Sequence, residues 1–100
     1  MKLRWSRAAL RDLSEIHAYV SQDDPRQADK LIRELAQSAD RLETFPRSGR
    51  VVPEYEEHDD YRELVVGSYR VIHCVEASTV DVVAVIHGAK MLPGEPPAFE

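Results

Sequence analysis

The sequence predicts an α+β fold in the order β-α-α-β-β-β: a short N-terminal strand, an antiparallel helical hairpin and a three-stranded antiparallel meander. Three features carry that assignment. Lys2-Leu3-Arg4-Trp5 alternates with the period of two of a half-buried strand. Residues 7–42 carry apolar side chains at spacings of three and four, interrupted at Asp24-Pro25. Tyr61 to His87 holds three apolar, β-branched runs separated by short turns.

Ser6 is placed to cap the first helix, because its hydroxyl can accept from an orphaned amide of the first turn. Leu10, Leu13, Ile16 and Val20 then define one face, with Asp12 and Glu15 outside it, and the helix runs to about Gln22. Asp24-Pro25 starts the second helix: proline at the first helical position leaves no amide unsatisfied, Asp24 caps in front of it, and Gln27 sits at the capping-box position. Ala28, Leu31, Ile32, Leu35, Ala36, Ala39 and Leu42 form its apolar stripe. Phe45-Pro46 ends the hairpin, Arg47-Ser48-Gly49-Arg50 reads as a turn, and residues 51–60 read as a polar surface loop.

The first meander strand opens at Arg62-Glu63-Leu64-Val65-Val66. Gly67-Ser68 fits a two-residue turn with glycine at the position of positive φ. Val71, Ile72, Val75 and the run Val80 to Ile86 are apolar on both alternating sets, so these strands are expected to be covered on both faces. The helical hairpin can cover one face. The other calls for a partner unless the tail folds back. Met91 to Glu100, with three prolines and a glycine, is expected to be an extended or flexible tail within a single domain, 1–100.

Composition narrows the function classes. With 13 basic and 18 acidic side chains, the chain carries a net charge of −5. Residues 1–44 hold eight of each sign, residues 45–60 two basic against five acidic, and residues 61–100 three against five. No segment has the cationic excess of a polynucleotide groove, so direct nucleic-acid binding is not expected. No apolar run is long enough to span a bilayer and the N-terminus lacks the apolar core of a signal peptide, which points to the cytoplasm and away from a membrane.

Cys74, the only cysteine, lies in an apolar run and reads as a small buried hydrophobe. The four histidines, His17, His58, His73 and His87, have no ligand spacing, so neither a metal nor another cofactor is expected. No phosphate loop or nucleophile elbow is present, and no catalytic residue is assigned. Arg62, Arg70, His87 and Lys90 fall near strand ends and could converge at one edge of the sheet. Surface ion pairs of Arg62 and Arg70 with Glu63, Glu54 or Glu76, worth under about 1 kcal/mol each, would account for the two arginines equally well.

The same residues resemble the RelE/ParE superfamily of toxins from type II toxin–antitoxin systems, and its ParE branch most. The matching pieces run the length of the chain. They are Trp5-Ser6 with Ala9, Asp12-Leu13, Ile16 and Tyr19; Pro25 and Ala28; Phe45-Pro46 with Gly49-Arg50; and Val52-Pro53-Glu54. They continue through Arg62-Glu63-Leu64, Gly67 and Tyr69-Arg70-Val71-Ile72 to His87-Gly88 and Leu92-Pro93. The resemblance implies a RelE/ParE-like fold and one of three functions.

A ParE-like toxin would inhibit DNA gyrase by protein–protein binding and would be held in a hetero-oligomer by a ParD-like antitoxin. A RelE-like toxin would cleave messenger RNA on the ribosome. A member without toxicity would survive as a binding module. In the RelE branch two lysines, two arginines and a C-terminal tyrosine act on RNA. Carried over, the lysines fall on Arg62 and Leu64, the arginines on Arg70 and on or near Lys90, and the tyrosine has no counterpart beyond Phe99. Leucine can neither move a proton nor offset phosphate charge. The ParE reading is therefore preferred. Arg62, Arg70, His87 and Lys90 are the candidates for the target surface, and Ile16, Tyr19, Leu31, Leu35 and Arg50 for the antitoxin surface.

Overall fold

The computed structural model describes residues 1–100. Strand β1 (Lys2–Trp5) leads into helix α1 (Arg7–Ser21) through Ser6, whose Oγ accepts from the Ala9 amide at 3.0 Å. Helix α2 (Pro25–Asp40) starts as the sequence predicts: Pro25 occupies the first turn and the Asp24 carboxylate accepts from the amides of Arg26 and Gln27. The helix tightens into a 3₁₀ turn at Arg41–Glu43 before Phe45-Pro46.

The sheet has five strands where the sequence reading gives four. After β1 come β2 (Arg50–Val51), β3 (Tyr61–Val66), β4 (Tyr69–Val75) and β5 (Thr79–His87), in spatial order β1-β5-β4-β3-β2. β1 runs parallel to β5 and all other pairs are antiparallel. The added strand comes from Arg50-Val51, the edge of the predicted turn and loop, which pairs with Glu63 and Arg62. Gly49 makes this approach possible, since a Cβ there would sit 2.5 Å from the Glu63 carbonyl oxygen. Gly67 has φ +57° and Ser68 does not share the positive φ, the type II′ pattern that matches the twist of a hairpin. Between β4 and β5 a bulge leaves Val83 unopposed, with Ile72 facing Ala84 and His73 facing Val82.

The helical hairpin covers one face of the sheet, burying Ala9, Leu35, Ala39, Val71, Val82 and Val85. Leu13 and Ile16 of the predicted α1 stripe pack there, but in the first turn it is Ala9 that is fully buried, while Leu10 is 52% exposed. The other face is covered by the chain itself. Val52, Tyr55 and Leu92 pack on Ile72, Val83 and Ala84, each large aliphatic contributing roughly 1.5–3 kcal/mol of burial. Residues 51–60 are thus not simply a surface loop, since Pro53–Tyr55 forms a 3₁₀ turn that seats Val52 and Tyr55 on the sheet.

The tail has no helix or strand, yet it is fastened along its length. Tyr55 Oη donates to the carbonyls of Pro93 and Glu95, and Tyr61 Oη to that of Pro97. The Glu100 carbonyl accepts from the Arg7 amide, and Arg4 stacks over Phe99 at 4.1 Å. No helix is long and apolar enough to cross a membrane.

Candidate functional site

Arg70 enters the second face of the sheet from β4 and meets two carboxylates. Its Nη1 and Nη2 donate to Glu54 at 2.9 and 2.6 Å, and its Nε donates to Glu63 Oε1 at 2.8 Å. Arg50 Nε donates to the other oxygen of Glu63 at 2.6 Å. Glu54 also accepts from the Leu92 amide, so this network ties β2, β3, β4, the 53–55 turn and the tail together. The Arg70 hydrogen bonds hold the Glu54 carboxyl down at about 2 and raise the pKa of Arg70 further. Arg70 is 6% exposed and Glu63 1%, so the surface ion pair expected from the sequence is a buried one.

Arg62 makes no ion pair. Its guanidinium donates to the carbonyls of Asp59 and Gly49, bracing the chain entering β2 and β3. It also stands apart from the other candidates, because Arg62 pairs with His73 near one end of β4 whereas Arg70 and the Tyr69–His87 pair lie near the other. His87 and Lys90 are exposed at the exit of β5. The His87 ring packs edge-on against Tyr69 at 5.5 Å and its Nδ1 accepts from the Ala89 amide, while the Lys90 amide donates to the His87 carbonyl.

Two clefts meet at Lys90. One, of about 350 Å³, lies between α1 and the end of β5 and brings Ile16 and Tyr19 together with His87 and Lys90. The other, of about 430 Å³, is lined by the charged residues Arg50, Glu54, Arg70 and Lys90 together with Met91. Candidates assigned to two different partners therefore share one surface. Tyr19 is 69% exposed there, whereas Leu31 is only half-buried against the core and Leu35 is fully buried. Leu35 faces the sheet and has no surface left for a partner.

Asp12, which the helical stripe puts outside the packed face, turns toward the sheet and accepts from the Val85 amide at 2.9 Å. Burial raises its pKa. Nothing in the spacing of α1 distinguishes it from other acidic residues. Glu63 carried a signal that was readable, a carboxylate set in an apolar strand, where burial requires a cationic partner.

Neither His73 nor Cys74 is presented for chemistry. His73 is fully buried, its Nδ1 donating to the Val71 carbonyl, and burial drives its pKa down to about 4. Burial pushes the Cys74 thiol up, away from the thiolate that nucleophilic chemistry requires. No group of three His, Cys, Asp or Glu side chains is arranged to hold a metal ion.

Residues 3–92 match the family model described as ParE toxin of type II toxin–antitoxin system, parDE. Toxin RelE2 of Caulobacter vibrioides is 32% identical over 88 residues, covering 87% of this chain and 94% of the relative. "Putative toxin Y4kP" of Sinorhizobium fredii is 41% identical over 49 residues, so that match spans only about half of each protein, 49% and 51%. A chain of the chromosomal ParDE system of P. aeruginosa superposes with a TM-score of 0.71 at 22% identity, covering 87% of this chain and 95% of that one. A chain of the RelBE2 toxin–antitoxin complex of Mycobacterium tuberculosis gives 0.58 at 21% identity, covering 86% and 95%. At these identities the superpositions speak to the fold.

Proposed function

The chain belongs to the ParE family of type II toxins, and from that premise we propose that it acts by binding a protein target, DNA gyrase, in the cytoplasm until a ParD-like antitoxin covers it in a hetero-oligomer. One observation carries the choice of binding over catalysis. Arg70, the arginine onto which the resemblance carries a phosphate-handling role, is buried and has its hydrogen-bonding edges committed to Glu54 and Glu63. A guanidinium so engaged is not available to offset charge on a scissile phosphate. Leu64, where the resemblance would place a lysine, packs against the core. The exposed groups left at the exit of β5 are Lys90, His87 and Met91, a mixed surface suited to protein contact.

A ribosome-dependent endonuclease is the second reading, favoured by the relative named RelE2. Inducible expression without the neighbouring reading frame separates the two. Gyrase inhibition predicts relaxed plasmid DNA and DNA damage with intact messages, and purified chain should inhibit supercoiling. Cleaved messages with normal supercoiling would overturn the proposal in favour of the nuclease, and an absence of any growth defect would leave a non-toxic binding module.

A further inference from the structure

Met91 is the most exposed large apolar side chain of the molecule, at 77%. Its neighbour Leu92 is buried on the second face of the sheet. Of two adjacent apolar residues, one is therefore core and the other stands in solvent. A single apolar side chain at a surface needs no partner. What sets Met91 apart is how its backbone is held. The peptide groups on its two sides are bonded to the same buried ion pair: Arg70 Nη1 donates to the Lys90 carbonyl at 3.4 Å, and Glu54 Oε2 accepts from the Leu92 amide at 3.2 Å. Just upstream, the Gly88 amide donates to the Ser68 carbonyl, the Ala89 amide to His87 Nδ1 and the Lys90 amide to the His87 carbonyl. The main chain from Gly88 to Leu92 is thus pinned at four of its amides and one of its carbonyls, while the Met91 side chain touches solvent.

The surroundings say what such a side chain can meet. Met91 lines the cleft of about 430 Å³ together with Arg50, Glu54, Arg70 and Lys90. Within that charged wall the arginines are matched, Arg50 by Glu63 and Arg70 by Glu54 and Glu63. Lys90 makes no ion pair. The surface therefore offers one apolar knob beside one uncompensated positive charge. Methionine suits an irregular apolar socket, because its unbranched thioether adapts to the space it finds. A knob on a backbone fixed beforehand loses little more than side-chain freedom on docking, which is the condition for a binding anchor.

We infer that Met91 is the apolar anchor of the target contact, entering an aliphatic or aromatic socket on the target whose rim carries a carboxylate for Lys90. This rests on the target-binding reading above and deepens it.

The test uses the full chain against purified gyrase, with supercoiling inhibition and thermal melting read on the same preparations. Met91→Leu keeps the apolar volume and should inhibit within about threefold of wild type. Met91→Gln keeps the length but sets an amide in the socket, and should raise the inhibitory concentration about tenfold or more. Its melting temperature should match wild type, because the side chain lies in solvent and the main-chain bonds on either side are kept. Hydrogen peroxide offers a check without substitution: it transfers one oxygen to an exposed thioether, giving the polar sulfoxide and water. Peroxide should weaken inhibition by the wild-type chain and leave Met91→Leu unaffected, with Met1, the other methionine, present in both as the control. Full inhibition by Met91→Gln and by the oxidised chain overturns the anchor and leaves the target reading standing. Loss in Met91→Leu as severe as in Met91→Gln also overturns it, since the apolar character is retained there. A wild-type chain that does not inhibit gyrase overturns the target reading and the anchor with it.

Discussion

Arg70 holds Glu54 by both edges of its carboxylate, Nη1 to Oε2 at 2.9 Å and Nη2 to Oε1 at 2.6 Å, with the arginine side chain only 8% exposed. Buried pairs of this kind add little net stability, because desolvation offsets their attraction, but removing one member leaves an uncompensated charge. Arg70→Ala should therefore lower the unfolding free energy by about 3–5 kcal/mol, read by urea denaturation. Any loss of toxicity in that variant would reflect folding. Arg70→Met combined with Glu54→Gln and Glu63→Gln should recover much of the loss, and a triple variant as unstable as the single one would sink this account.

His73 and Glu54 give the chain an acid limit with two windows. His73 is buried neutral, with its folded pKa near 4 against an ordinary value of 6.5, so the unfolded chain takes up a proton first. The stability His73 contributes is complete above pH 6.5 and is lost as pH falls toward 4, a loss of order 3 kcal/mol. Glu54, near 2 against 4.5, follows: its contribution is complete above pH 4.5 and declines as pH falls through 2. Thermal melts from pH 7.5 to 3 should show the melting temperature falling from about pH 6.5. In His73→Leu the fall should begin only near pH 4.5, and an unchanged profile would remove His73 as the first titrating group.

The local elements were legible because single residues specify them. Ser6, Asp24-Pro25 and Gly67 each satisfy a backbone requirement within a few residues, and the helices and the β3–β4 turn come out at the expected positions. What lay hidden depended on contacts distant in sequence. Val52 and Tyr55 sit in a run of acidic residues, and only the need to cover Ile72, Val83 and Ala84 makes them core. The Arg70 network joins positions 50, 54, 63 and 70, and no spacing rule links them. At the candidate site the exposure of His87 and Lys90 followed from their place at the end of the last strand and just beyond it, but the turning of Asp12 toward Val85 follows from the path of α1 across β5, which residue type alone does not encode.

The second face of the sheet requires its own tail. Leu92 is 9% exposed on Ile72, Val83 and Ala84, so Leu92→Ala should cost about 2–5 kcal/mol. Tyr55→Phe keeps the ring but removes the bonds to Pro93 and Glu95, and should cost about 1 kcal/mol while speeding amide exchange beyond Leu92. Near-wild-type stability of Leu92→Ala would mean that this face is covered by something other than the tail.

Stability and function should separate at the exit of β5. The side chains of His87 and Lys90 lie in the open, outside the buried network, and their turn is held by backbone bonds from Lys90 to the His87 carbonyl and from Gly88 to the Ser68 carbonyl. Truncating the Lys90 side chain leaves both of those bonds intact. Lys90→Ala should shift unfolding by no more than about 0.5 kcal/mol, the usual limit for a surface change. If this turn contacts the target, the same variant should raise the concentration needed to inhibit supercoiling about tenfold, as loss of a cation from a protein contact does. Arg62→Ala is the contrasting case, because it removes bonds to the carbonyls of Asp59 and Gly49 and should destabilise the β2–β3 edge. Supercoiling inhibition that survives Lys90→Ala at full strength, in a chain of unchanged stability, would move the target surface away from the β5 exit.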